Sequence, residues 1–315
     1  MLTPRTDHLI DLALDEDAAL GDLTSRAIFP PEHCSRALIK AKQPLVLCGA
    51  EIAARVFARV DPRLEVTLTA RDGDTLAAGD AVLHITGPTV ALLTAERSAL
   101  NFLQRLSGIA TQARRYAQAV EGTGVRIVDT RKTTPAWRAL EKYAVRCGGA
   151  HNHRFSLGEL VLIKDNHIAA AGSLTRAVEL CRSAAPHGAK IEVEAATLAQ
   201  VKEAIHAGAE IVLLDNMTPR QVEAAVAAIA GAALVEVSGG VTYDTLRDYA
   251  LPGVDLISIG ALTHSVSAAD LSLDILPEKT ARPRSANKGN AARSKAKARE
   301  TKPAPATGRT RAMHK

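Results

Sequence analysis

A chain of 315 residues with 47% hydrophobic side chains can bury a full core, either as two domains or as one barrel with an appendage. Its formal charge of +5 suggests a nucleic-acid partner, but residues 279–315 carry twelve Lys/Arg against one acidic residue, which leaves 27 Lys/Arg against 33 Asp/Glu, a net of −6, in the rest. The body is therefore mildly acidic, and its four scattered cysteines, without Cys-x-x-Cys spacing, argue against a disulfide framework or a structural zinc site.

From the amino terminus, residues 5–18 set Leu9, Ile10, Ala13 and Leu14 at helical spacing, which predicts a helix leading into Gly21-Asp22-Leu23-Thr24-Ser25. The same stretch has acidic residues where a signal peptide needs an apolar core. Strand-like runs follow at 36–48, 64–69 and 81–86, with Gly73-Asp74 and Gly79-Asp80 as turns between them. Residues 1–113 thus read as a small α/β domain, closed by a helical pattern over about 90–106 that serves as a connector.

Beyond it, strand and helix patterns alternate: 125–129 then 135–146, 160–164 then 173–184, 190–194 then 197–206, 210–215 then 218–229, 234–238 then 243–249, and finally 255–259. Such alternation means a parallel sheet with helical crossovers, and about six units point to a barrel over residues 114–267, complete or partial. Residues 268–277 are expected to rejoin the first domain. The longest apolar run, 224–235, is too short to span a bilayer, so a soluble, cytoplasmic protein without membrane insertion is expected. The stretch 279–315 has too little apolar surface to offset its chain entropy and is expected to be disordered. Its charge offers a nonspecific polyanion tether, although no aromatic residues interleave the cations and a dispensable solvated extension explains it as well.

The chemistry gathers where the strands end. Val125–Val128 releases Asp129, Arg131 and Lys132, Leu160–Ile163 releases Lys164, and His153 and Arg154 lie between them. In parallel α/β folds that end of the sheet binds ligands. Singly, each cation has an ordinary explanation as a solvated loop charge; together they repel one another unless an anion is present, and each charge-assisted hydrogen bond to that anion contributes about 1.5–3 kcal/mol. The cluster points to a small ligand with several negative charges. Glu194 and Asp215 end the next two strands, where they can hold sugar hydroxyls, a magnesium ion or a developing positive charge, or simply pair with the cations. Ser238-Gly239-Gly240 and Ser258-Ile259-Gly260 follow the last two strands, a pattern suited to a phosphate. His151-x-His153 lacks a third supporting ligand for a metal, and no Gly-x-Ser-x-Gly, Walker or Rossmann glycine motif occurs.

Over roughly residues 5–277 the chain resembles the quinolinate phosphoribosyltransferase family. The motifs that carry the resemblance are GDLTS at 21–25, AERSALNFLQRLSGIAT at 95–111, DTRKTTP at 129–135, GGAHNHR at 148–154, LIKDNH at 162–167, EVE at 192–194, LLDN at 213–216 and VSGG at 237–240. The resemblance implies an N-terminal open α/β sandwich followed by an incomplete, seven-stranded α/β barrel, assembled as a homodimer or a higher even oligomer. It implies quinolinate and 5-phosphoribosyl 1-pyrophosphate as substrates, nicotinate mononucleotide, pyrophosphate and carbon dioxide as products, and Mg2+ as cofactor. Arg131, His153, Arg154 and Lys164 would grip the quinolinate carboxylates, Lys132 would serve the ribosyl side, and Arg105 would enter from the neighbouring subunit. Glu194 and Asp215 would handle ribose hydroxyls and Mg2+, with Ser238, Gly239, Gly240, Ser258 and Gly260 around the 5′-phosphate. A related ModD-like group shares the fold and much of the pocket; the intact Arg/Lys/His cluster argues against it.

Overall fold

The computed structural model describes residues 2–277; the expectations for residues 279–315 lie outside the described residues. The elements run α1 (Pro4–Ala18), α2 (Leu23–Ile28), β1 (Cys34–Ala41), β2 (Leu45–Val46), α3 (Ala50–Val60), β3 (Glu65–Leu68), β4 (Thr75–Leu76), β5 (Ala81–Pro88) and α4 (Thr89–Ala119). Then come β6 (Arg126–Val128), α5 (Arg138–Cys147), β7 (Val161–Ile163), α6 (Asp165–Ala171), α7 (Leu174–Ala184), β8 (Ile191–Ala195), α8 (Leu198–His206), β9 (Ile211–Asp215), α9 (Pro219–Ile229), β10 (Leu234–Ser238), α10 (Leu246–Tyr249), β11 (Leu256–Ser258), α11 (Ala261–His264) and β12 (Leu271–Leu276).

The first sheet is antiparallel, in the order β12-β1-β5-β3, so its edge strand β12 comes from the far end of the described chain. Lys42 N–H donates to the Asp270 carbonyl and continues the β1–β12 ladder. Strand β1 stops at Ala41, and Leu45–Val46 leaves to pair with β4, which splits the single 36–48 run expected from the sequence. Helix α3 follows at once and buries Ile52, Ala53, Val56 and Phe57, a 3–4 spacing that packs one face on α4.

Helix α4 spans 31 residues, well past the expected end near Leu106, because Ile109, Ala110, Ala113 and Tyr116 continue its buried stripe. At 1.5 Å per residue it is about 46 Å long and reaches from the antiparallel sheet to the barrel elements. Gly108 permits a close crossing: a Cβ there would lie 2.2 Å from the Ser267 carbonyl.

The second sheet is wholly parallel, in the order β6-β11-β10-β9-β8-β7, with helices in the crossovers. A single parallel bridge, Val128 to His151, adds a seventh strand position beside β6. Among the described residues no ladder joins that position to β7. Val193, Val212, Leu214, Val237 and Ile257 are fully buried, as expected of strands covered on both faces. Ser173, Thr197 and Thr218 cap α7, α8 and α9 with their side-chain oxygens, so each strand hands over to its helix through a short, defined loop. No helix of the described residues is long and apolar enough to cross a membrane.

Candidate active site

The carboxyl ends of the parallel strands enclose a cavity of about 490 Å3. Its lining includes Arg131 and Lys132 after β6, His153 and Arg154 after the His151 bridge, Lys164 after β7, Glu194 on β8, Asp215 and Asn216 at the end of β9, and Ser238, Gly239 and Gly240 after β10; Glu236 and Ser258 complete the floor. The structure thus brings eleven of the thirteen expected site residues into one pocket.

Gly260 and Arg105 stand apart. Gly260 is not among the lining residues; a Cβ there would meet the His264 ring at 3.0 Å and the Lys132 side chain at 3.1 Å, so it makes room for both. Arg105 does not line the pocket of its own chain. Its guanidinium donates to Glu141 at 2.9 Å and to the Thr263 carbonyl at 2.7 Å.

The cations are held from beneath by a buried ion pair. Lys142 on α5 pairs with Asp129, both almost fully buried, and also donates to the His153 carbonyl at 3.0 Å. Asp129 further accepts from the Asn152 side chain (2.6 Å) and from the His153 N–H (2.9 Å), so one carboxylate fixes the whole 152–153 turn. Burial raises the Asp129 pKa and lowers that of Lys142, and their mutual attraction opposes both shifts.

His153 Nε2 lies 3.1 Å from Glu192 and 3.4 Å from Glu236, two buried carboxylates of which Glu236 also lines the pocket. The approach is poorly aligned, and all four carboxylate oxygens lack a hydrogen bond. Burial works to lower the His153 pKa, but the two carboxylates overcome it and hold it up at about 10. Nδ1 accepts the Arg154 N–H at 2.9 Å, which leaves the ring proton on Nε2, facing the glutamates; full charging of the ring requires that bond to open. Burial likewise raises the Glu192 pKa. In the sequence Glu192 stood out only as part of the EVE motif at 192–194, with no role of its own, and Glu236 did not stand out at all. Their signal was a glutamate flanked by apolar residues in the interior of each strand, Glu192 in IEVEA and Glu236 in LVEVS.

Arg131 Nε is a buried donor without a hydrogen-bond partner, the state expected of a guanidinium that awaits an anion. Burial lowers the Arg154 pKa, and Arg131 adds to that shift, so the two guanidiniums repel one another. Arg154 Nη1 donates to the Leu160 carbonyl at 2.9 Å, which aims the side chain. Lys164 caps α6, its N–H held by His167 Nδ1 (2.9 Å), and its ammonium pairs with Glu194 at 2.5 Å. Part of the cationic cluster is therefore neutralised internally, as the ion-pairing alternative had it.

Asp215 accepts from the Asn216 side chain at 2.7 Å, and Asn216 takes a left-handed backbone. Glu194 and Asp215 both line the cavity, and carboxylate oxygens are the donor type that Mg2+ takes. Gly239 is held close to Asn216: a Cβ would sit 2.3 Å from its Oδ1 and 2.9 Å from its backbone nitrogen, at φ +89. Only glycine lets the β10 loop pass there, which brings backbone N–H groups to the cavity mouth.

This arrangement can clamp a dicarboxylate, hold a sugar and cradle a phosphate. The quinolinate phosphoribosyl transferase C-terminal domain model matches residues 109–274, and the corresponding N-terminal domain model matches residues 22–107. A probable nicotinate-nucleotide pyrophosphorylase [carboxylating] of Bacillus subtilis is 44% identical over 260 residues, 82% of this chain and 90% of that protein. The nicotinate-nucleotide pyrophosphorylase [carboxylating] of Homo sapiens is 38% identical over 278 residues, 87% of this chain and 92% of that protein. The crystal structure of NadC from Streptococcus pyogenes superimposes with a TM-score of 0.84 at 42% identity, covering 88% of this chain and 99% of that one. With both of its halves matched in order and a relative 44% identical over 82% of its length, the chain belongs to the quinolinate phosphoribosyl transferase family.

Proposed function

We propose that the protein transfers the phosphoribosyl group of 5-phosphoribosyl 1-pyrophosphate to quinolinate with decarboxylation, giving nicotinate mononucleotide, pyrophosphate and carbon dioxide for NAD biosynthesis. The observation that carries this reading is a single cavity in which Arg131, His153, Arg154 and Lys164 face Glu194 and Asp215, with the glycine turn of Gly239 and Gly240 beside them. Two quinolinate carboxylates match the cations, and the unpaired Arg131 Nε gives one of them a waiting donor. Lys132, Glu194 and Asp215 serve the ribosyl centre, while Ser238, Gly239, Gly240 and Ser258 accommodate the 5′-phosphate and Gly260 leaves room for the Lys132 side chain. Mg2+ held by Glu194 and Asp215 would neutralise charge on the departing pyrophosphate.

Departure of pyrophosphate leaves positive charge at the anomeric carbon, which the Glu194 and Asp215 carboxylates stabilise electrostatically. Attack by the pyridine nitrogen forms the N-glycosidic bond and makes the ring a cation. The bond from the ring to the adjacent carboxylate then breaks, carbon dioxide leaves, and its electron pair stays on the ring carbon, stabilised by the neighbouring cationic nitrogen until a proton arrives. No separate decarboxylation base is needed; positioning and electrostatics carry the step. The four free cysteines and the acidic body suit a cytoplasmic enzyme, and we assign it a homodimeric or higher even assembly.

Carbon dioxide release from carboxyl-labelled quinolinate, measured with Mg2+ and with or without the phosphoribosyl donor, tests the reading. Release that depends on the donor, and no product from nicotinate, is the expected result. No release from well-folded protein would overturn it.

A further inference from the structure

Away from the pocket, four side chains that no step of the reaction uses meet where the β2–α3 corner touches the end of α5. Cys48 is fully buried and Cys147, the last residue of α5, is half-buried. Their sulfurs and an Asp72 carboxylate oxygen all lie within 4.8 Å of one another. Tyr143, one turn before Cys147, donates its hydroxyl to Asp72 at 3.1 Å. The other Asp72 oxygen accepts the Gly49 and Ala50 N–H groups at 2.9 Å each, capping α3 directly after Cys48. The Cys48 backbone is fixed too: its N–H donates to Ser107 Oγ at 3.0 Å, and its carbonyl accepts from the same hydroxyl at 3.2 Å. Two thiols far apart in the sequence are thus held within 4.8 Å of one another by a hydrogen-bonded frame, and one of the two residues is partly exposed.

We propose that Cys48 and Cys147 are a peroxide-sensitive dithiol that closes to a disulfide joining the β2–α3 corner to α5. Their roles differ. The neighbouring Cys48 thiol lowers the Cys147 pKa, while Cys147 and burial raise that of Cys48, so Cys147 is the thiol that ionises first. The Cys147 thiolate attacks one oxygen of hydrogen peroxide, the O–O bond breaks, and the departing hydroxide takes a proton to leave as water. The Cys48 sulfur then attacks the Cys147 sulfenic acid, the S–O bond breaks, and the hydroxyl leaves as water with the Cys48 proton. In sum two thiols are oxidised by two electrons and one peroxide is reduced to two waters. Cys34 and Cys181 have no comparable neighbour among the described residues and act as internal controls.

The test treats the full chain with one equivalent of hydrogen peroxide and counts thiols under denaturing conditions. The count should fall from four to two, with a Cys48–Cys147 linked peptide by mass spectrometry and full recovery on reduction. The closed form should melt about 5 °C or more above the reduced one, since the bond closes a long loop. In Cys48→Ala, Cys147 should accumulate a sulfenic acid that dimedone traps; Cys147→Ser, altered at the more exposed position, should keep three thiols, since Cys48 is left without a reactive partner. Four thiols after excess peroxide, a linkage through Cys34 or Cys181, or loss of two thiols in Cys147→Ser would each overturn the proposal. So would thiols that react only after a chelator is added, which would assign the cluster to a metal ion instead.

Discussion

Arg131 carries an unsatisfied buried donor, whereas Lys164 already has Glu194 as its partner, and the two residues should respond differently to substitution. Lys164→Ala should raise the KM for quinolinate far more than that for the phosphoribosyl donor; equal effects in steady-state kinetics would remove Lys164 from acid binding. Gly239→Ala forces a Cβ into Asn216, and it should lower kcat/KM for the phosphoribosyl donor by about tenfold or more, roughly 1.4 kcal/mol of transition-state stabilisation. A larger effect on quinolinate would place that turn at the other substrate. At His153 the folded pKa of about 10 stands above the ordinary 6.5, so its contribution to stability is complete below about pH 6.5 and is lost as pH rises through about 10. The thermal midpoint of the wild type relative to His153→Gln should therefore decline across that window; a flat difference would mean that the ring stays neutral throughout. Most of these residues were legible because each charge follows a short β-branched or leucine-rich run. The roles of Glu192 and Glu236 were not, since a carboxylate inside a buried strand gives no local sign of its partner, which here comes from a loop remote in sequence.

Helix α5 does more for the pocket than its position outside the sheet suggests. Lys142 fixes the 152–153 turn through Asp129, and Glu141 anchors Thr134 and Arg105. Lys142→Met should destabilise the fold by about 3–5 kcal/mol by leaving the Asp129 charge buried and unpaired, measurable by urea unfolding. The double variant with Asp129→Asn should recover much of that loss; if it does not, the pair is not the cause. The parallel-sheet elements were readable to within a few residues, because the strands are short runs rich in Val, Ile and Leu that alternate with helical patterns. Helix α3 was not found. Its sequence, AEIAARVFARV, has a clear apolar face, but it follows directly on two short strands that read as one long run over 36–48. Helix α6 was hidden as well: seven residues, DNHIAAA, carry too little periodicity to announce themselves.

For the whole molecule, the Arg105 tether raises the question of assembly. If Arg105 serves a neighbouring subunit's pocket, it must leave Glu141 and the Thr263 carbonyl as the subunits meet. Mixing Arg105→Ala and Lys132→Ala subunits, each inactive alone, should then restore about a quarter of the wild-type sites in a randomly reassorted dimer. No recovery would mean that Arg105 acts within its own chain. Truncation after Glu278 should leave turnover unchanged, because residues 279–315 carry none of the site's motifs. A loss of more than tenfold would contradict that expectation. The pairing of β12 with β1 has a further consequence for how the chain comes to fold. During synthesis, β1, β5 and β3 emerge long before β12, so the outer edge of β1 offers its free backbone groups for the whole time that the barrel stretch is being made. An edge left open in this way invites pairing with another nascent chain. The final strand therefore acts as a late seal, and variants that weaken it, such as a proline within Leu271–Leu276, would reveal themselves by aggregation during expression rather than by any change at the active site.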